Sequence, residues 1–396
     1  MPSIVLFPGR EKSVKQQHPW IFDRAIKSIQ GSPELGESVD ILSQDKTWLG
    51  IGAYSPQSKI RVRVWSWDPT EIVDADYFRV RLKRCLEFRQ YIFQRSIPSA
   101  YRLVYAEADG LPGLIVDQYL DTLVVQCLSA GIERWRNLIF DILEDITGIQ
   151  KIYERSDVDV RALEGLPSRK GLVRGNIRDL PFVITEHKIK YLVDIQEGQK
   201  TGFYLDQREN RLKIMKYVSD REILDCFSYS GGFTIPALLG KAKQVTAIDE
   251  SESAHELARI NVRLNRFSED RVKWIKGDVF KILREFRDSR KSFDLIILDP
   301  PKFAPTISQV GKATRGYKDI NLLALKLLRS EGILVTFSCS GGVDAVLFQK
   351  IVTGAARDAG ISAQIIERLG QSSDHPIALN FPESEYLKGL VIRKIK

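Results

Sequence analysis

Between Glu222 and Pro301 the chain alternates short apolar runs with helical patterns so regularly that few folds can accommodate it. EILDCFSYSGGF, QVTAIDE, VKWIKGDVF and FDLIILDPP read as strands; TIPALLGKAK, SAHELARINVRLN and ILREFRDSR, with apolar residues at helical spacing, separate them. This rhythm predicts a doubly wound parallel α/β sheet, because each crossover helix returns the chain to begin the next strand in the same direction. In such sheets ligands bind outside the carboxyl ends of the strands. Two strand ends therefore attract attention: Asp299, closing FDLIILDPPKF, and Cys339, 40 positions on, closing GILVTFSCS.

A chain of 396 residues should hold two or three domains. Four of the six tryptophans, Trp20, Trp48, Trp65 and Trp67, fall in the first 70 residues, which marks a separate small domain over residues 1–71. Its turn-punctuated strands, SVDILSQDKTWLGIGAYSP and KIRVRVWSW, predict a small β-barrel in which Arg61, Arg63 and the tryptophans serve either RNA contact or the core. Residues 72–185 read as a middle α+β domain. It opens with a basic amphipathic helix from Asp76 to Arg95, continues through strands around Asp109–Gly113 and Asp121 and a helix near 132–147, and ends in connecting loops over 165–180. Residues 186–396 form the third domain.

The formal net charge of +8 favours a polyanionic partner such as RNA or DNA. Cys85, Cys127, Cys226 and Cys339 lie far apart, as do His18, His187, His255 and His375, so neither a disulfide framework nor a metal site is expected. No apolar stretch reaches the ~20 residues of a membrane span, and MPSIVLFPGREKS lacks the apolar core of a secretory leader. Cytoplasm is the expected location, with no membrane partner.

The first strand of the alternating region opens into SYSGGF, where Ser228, Gly231 and Gly232 form a turn that brings backbone close to a ligand. Asp249, 24 positions after Asp225, ends the next strand, where an acid can hold the hydroxyls of a ribose; Asp278 ends the following one, where a carboxylate can accept from an adenine amino group. Three acids at successive strand ends fit an adenosine-containing ligand. Adjacent glycines flanked by Tyr229 and Phe233 suit S-adenosylmethionine, whose sulfonium is attracted by carboxylates and aromatic faces, better than a dinucleotide with its pyrophosphate. Each Asp taken singly also reads as a helix cap or turn residue.

Together GREKSVKQQHPWIF, GAYSPQSKIRVRVW, ADGLPGLIVDQY, YERSDVDVR, VDIQEGQKTGFYLDQRENR, DCFSYSGGF, LDPPKF, RGYKDIN and TFSCS resemble, over essentially the full length, the bacterial S-adenosylmethionine-dependent cytosine-5 methyltransferases of large-subunit ribosomal RNA. The resemblance implies an amino-terminal PUA domain that binds RNA, a middle domain forming part of an RNA-facing cleft, and a Rossmann-like class I methyltransferase domain. A second copy of the chain is a further candidate partner. Cys339 would be the nucleophile that adds to C6 of the base, and Asp299, also near the donor, would contact or protonate N3. Phe203, Asp206 and Arg208 in KTGFYLDQR would help close the donor pocket. The branch of that chemistry with two cysteines carries a second one in the motif corresponding to LDPPKF, where this chain has none. The base that removes the C5 proton is thus open among Lys302, Asp206 and a water. Two rivals stand beside this reading. An amino methyltransferase acting on guanine or adenine would want an aromatic where Lys302 sits, and a non-catalytic RNA-binding assembly factor would have no use for the thiol.

Overall fold

The computed structural model describes residues 1–94, 96–177, 180–303 and 310–395. Its elements, in order, are β1 (Ser3–Leu6), α1 (Glu11–Lys15), β2 (Trp20–Phe22), β3 (Ile26–Gln30), β4 (Ser38–Leu42), β5 (Trp48–Tyr54), β6 (Ile60–Ser66), α2 (Ala75–Phe93), β7 (Ala100–Tyr105), β8 (Leu114–Tyr119), β9 (Thr122–Cys127), α3 (Ala130–Thr147), β10 (Lys151–Ser156), α4 (Val160–Leu163) and β11 (Arg169–Arg174). There follow β12 (Phe182–Glu186), β13 (Ile189–Val193), α5 (Arg208–Ile214), β14 (Glu222–Cys226), α6 (Thr234–Leu239), β15 (Gln244–Asp249), α7 (Glu252–Leu264), β16 (Val272–Lys276), α8 (Val279–Asp288), β17 (Phe293–Leu298), α9 (Val310–Leu327), β18 (Leu328–Ser338), α10 (Ala345–Ala359), β19 (Ala363–Gly370) and β20 (Lys388–Lys394). Two compact units result: Met1–Ile184 with Val193–Leu205 and Ser373–Ser384, and Thr185–Leu192 with Asp206–Ser372 and Glu385–Lys396. Among the described residues no helix is long and apolar enough to cross a membrane.

The first unit carries two sheets. Strands β2-β6-β5-β4-β1-β3 make a six-stranded one, antiparallel except where β1 meets β4. Alternation places Ile4, Leu6, Val39, Ile41, Val62 and Val64 in its core. Strands β11-β10-β9-β8-β7 make the other. The helix expected from Asp76 is α2, whose cap Asp74 accepts from the Tyr77 amide at 3.0 Å; Arg95 lies outside the described residues. Trp65 settles into the core rather than the surface: it is 2% exposed and meets Tyr77 and Phe78 edge-on at 6.1 and 5.5 Å. Gly131, at the start of α3, permits this packing, since a Cβ there would lie 2.4 Å from the Ala53 Cβ and 2.6 Å from the Trp65 ring. Arg63 is likewise interior, its Nη1 donating to Glu164 at 2.7 Å.

The loops expected over 165–180 need one correction. Residues 169–174 form β11, an edge strand paired antiparallel with β10. RKGLVR has low strand propensity and is mostly exposed, so its pairing is imposed by β10 rather than by its own composition.

The second unit is built on the expected doubly wound sheet, ordered β16-β15-β14-β17-β18-β20-β19. The first five strands run parallel, and β20 then enters antiparallel between β18 and β19. Leu224, Ile296, Leu298 and Leu334 on the strands share a core with Leu283, Phe286, Tyr317, Ile320, Phe348 and Ile351 from α8, α9 and α10. This is why the strands read as continuous apolar runs.

Candidate active site

With β14, β15, β17 and β18 parallel and in register, Cys226 aligns with Ile248 and Leu298, and Leu298 with Thr336, so their carboxyl ends share one edge. Asp225, 1% exposed, accepts from the Thr234 hydroxyl at 2.6 Å through Oδ2; its Oδ1 has no partner among the described residues. Burial pushes this carboxyl up to about 7, opposed by the Thr234 hydrogen bond and reinforced by the charges of Asp299 and Asp249. A buried carboxyl oxygen without a protein donor is costly, and such costs concentrate where a ligand supplies the missing partner.

The turn after β14 is strained in the same place. Phe227 and Tyr229 adopt left-handed backbone (φ +62° and +46°), a conformation costing non-glycine residues of order 1–3 kcal/mol each. Gly231 is left-handed too (φ +82°) and donates to Ser228 O at 2.9 Å. Asp249 stabilises the turn, accepting from the amides of Tyr229 at 2.8 Å and Ser251 at 2.9 Å. The hydroxyls of Ser228 and Ser230 are buried without partners among the described residues, and nothing lies within 4 Å of where a Gly232 Cβ would be. The result is an open backbone cradle ringed by unsatisfied polar atoms. Asp278 caps α8, accepting from the Lys281 amide at 2.8 Å.

Asp299, half-buried, accepts from Gln207 Nε2 at 3.0 Å. Gln207 is held in turn by Asn210, whose amide donates to Gln207 Oε1 at 2.6 Å and to Gly370 O at 2.8 Å. Asp206 is buried, receives the Tyr386 hydroxyl, and its carbonyl accepts from the Ser372 amide and hydroxyl, both at 2.9 Å. Arg208 is buried at the head of α5. Phe203 belongs instead to the first unit, where its amide donates to the Tyr119 hydroxyl at 3.2 Å.

Cys339 follows β18 and places its Sγ 3.8 Å from Pro300 O, the residue after Asp299. The two reactive strand ends are thus neighbours. The next residue, Ser340, exchanges a hydrogen bond with the Tyr317 hydroxyl at 3.0 Å, and the Tyr317 ring packs on Phe303 at 4.7 Å. Cys85, Cys127 and Cys226 are buried, with thiols pushed up by burial, whereas Cys339 is half-buried. Sequence reasoning did not single out Gln207 and Tyr317, although they lie inside LDQRENR and RGYKDIN.

Residues 4–67 match the PUA-like domain, and residues 176–393 match the S-adenosylmethionine-dependent methyltransferase model. The chain belongs to the S-adenosylmethionine-dependent methyltransferase family. Within this family it is similar to proteins named ribosomal RNA large subunit methyltransferase I. The Aeromonas salmonicida protein is 51% identical over 390 residues, covering 98% of both chains, and that of Tolumonas auensis is 51% identical over 394 residues, covering 99% of both. Two solved structures share the fold over 99% of this chain and 100% of theirs. One is "a putative SAM-dependent methyltransferase from Streptococcus mutans" (TM-score 0.86, 21% identity); the other is described as "a putative methyltransferase complexed with SAH" (TM-score 0.87, 20% identity). Among the described residues Asp225 Oδ1, Ser228 Oγ and Ser230 Oγ lack partners, a set that suits a ligand bringing a cationic centre and hydroxyls.

Proposed function

We propose that this methyltransferase acts in the cytoplasm on large-subunit (23S) ribosomal RNA, methylating C5 of a cytosine through a covalent bond between Cys339 and C6. The observation that carries the reading is the approach of Cys339 Sγ to Pro300 O at 3.8 Å, which brings the thiol to the strand end that carries Asp299. The names of its relatives support the RNA substrate, and residues 1–71 and 72–185 are proposed as its RNA-facing domains.

C5 of cytosine is a weak nucleophile, so the chain must first make it electron-rich. Attack of the Cys339 thiolate forms the S–C6 bond and drives the ring electrons toward N3, where Asp299, steadied by Gln207, delivers or shares a proton. When bound, S-adenosylmethionine supplies an electrophilic methyl group to the resulting C5 enamine. A base, one of Lys302, Asp206 and a water, then takes the C5 proton; the C5–H electron pair restores the ring double bond as the S–C6 bond breaks with its pair returning to sulfur, and N3 returns its proton to Asp299. On the donor side, Asp225 and the Ser228–Gly232 turn are proposed to hold the amino-acid portion, Asp249 the ribose and Asp278 the adenine edge. Asp206 and Arg208, both buried, are proposed to support the segment carrying Gln207.

An amine acceptor would need no thiol at this position. RNA containing 5-fluorocytidine decides between the two, because fluorine cannot leave as a cation and the adduct is trapped. Wild type with its methyl donor should give a denaturation-resistant RNA–protein adduct that Cys339→Ala lacks. Absence of an adduct on an RNA that is methylated in its natural form refutes the proposal.

A further inference from the structure

Across the sheet from the end of β18 stands a lysine. In the antiparallel pairing of β18 with β20, Ser338 is opposite Lys388, which places Lys388 beside the turn carrying Cys339. Lys388 is 4% exposed, a position an ammonium seldom occupies unless paired. Its Nζ donates to Ser340 O at 2.9 Å and to Tyr386 O at 2.7 Å. An ammonium has three donors, and two neutral carbonyls satisfy two of them without balancing its charge. Burial lowers the amine to about 8; Cys339 is the foremost group holding it up, followed by Glu385 and Asp344, with Lys302 acting the other way. The coupling is mutual, because a thiolate that favours the ammonium is favoured by it to the same extent.

We infer that Lys388 is the charge partner of Cys339, its buried ammonium favouring the thiolate form of the sulfur that is ready for attack. The S–H bond breaks with its electron pair left on sulfur, and the proton passes to water, which the half-buried thiol can reach. When the S–C6 bond later breaks, the electron pair returns to a sulfur that already has an ammonium beside it, so departure is assisted as arrival was. Lys388 is a positioning residue in this scheme, acting on the substrate only through Cys339, and its bond to Ser340 O fixes the turn on which the thiol sits. The inference rests on the assignment of Cys339 as nucleophile.

Alkylation of Cys339 by iodoacetamide as a function of pH, followed by peptide mass spectrometry on the donor-free protein, tests the pairing without RNA. The other three cysteines are buried and do not compete. In wild type the midpoint for Cys339 should lie below the ordinary thiol value of about 8.5. Lys388→Met should raise it by about one unit, slowing alkylation at pH 7 roughly tenfold, while Lys388→Arg keeps it near wild type. Calorimetric donor binding verifies that each variant is folded. A wild-type midpoint at or above that of an ordinary thiol overturns the inference with no variant needed, and so does an unchanged midpoint in a Lys388→Met protein that still binds donor. If the midpoint follows Lys388 but wild type traps no fluorocytidine adduct, the pairing stands and the cytosine-5 reading falls; an adduct with an alkylation profile indifferent to Lys388 does the reverse.

Discussion

Replacing Asp225 with Asn should make the donor-free protein more stable and less able to bind donor. The folded carboxyl titrates near 7 against 3.8 for the ordinary group, about 3 units, and at 1.36 kcal/mol per unit this is roughly 4 kcal/mol. The sign follows from where the proton is held. Below pH ~4 both folded and unfolded chains are protonated at this site and the buried charge costs nothing. Between about 4 and 7 the folded protein keeps a proton that the unfolded chain has released, so stability falls as pH rises; above about 7 the full cost is present. Asn still accepts from Thr234 and carries no charge. Urea unfolding of donor-free wild type and Asp225→Asn at pH 4, 5, 6, 7 and 8 should therefore show a gap near zero at pH 4 that widens toward roughly 4 kcal/mol, as an upper bound, at pH 8. Donor affinity should move oppositely, the Asn variant losing most at pH 8, where wild type presents a carboxylate to a cation. A stability gap that is constant from pH 4 to 8 refutes the reasoning, because the carboxyl would then be no more desolvated in the fold than in the unfolded chain.

Asp249→Ala should lower donor affinity tenfold or more by calorimetry, on the scale of about 1.5–3 kcal/mol for hydrogen bonds to a charged group; preserved affinity would remove Asp249 from the ribose. Trp65→Ala should cost about 3–5 kcal/mol in unfolding free energy, since the ring is 2% exposed within the core, and a loss under 1 kcal/mol would mean the site collapses around the gap.

The second unit was legible because a parallel sheet covered on both faces writes itself as apolar runs, and the place of Asp225, Asp249, Asp299 and Cys339 near strand ends was legible because the same topology sends those ends to one edge. Asp278 was ambiguous for a reason intrinsic to its place: the end of a strand is also the start of a helix, so ligand contact and capping ask for the same residue. Arg63 and Trp65 read as serving either RNA contact or the core, and tertiary packing placed both inside, Arg63 against Glu164 and Trp65 against α2 and α3. β11 escaped notice because an exposed edge strand needs only a partner, not an apolar pattern. Lys388 is the plainest case. Its meaning comes from an antiparallel register with Ser338, 50 residues earlier in the chain, which no local pattern encodes.

The identity of the methylated nucleoside tests the central claim most directly. Large-subunit ribosomal RNA incubated with isotopically labelled S-adenosylmethionine and either wild type or Cys339→Ala can be digested and its nucleosides separated by mass spectrometry. The account expects label in 5-methylcytidine with wild type and none with Cys339→Ala. Label on an exocyclic amine of guanosine, adenosine or cytidine, or 5-methylcytidine formed equally by the Cys339→Ala protein, would contradict it.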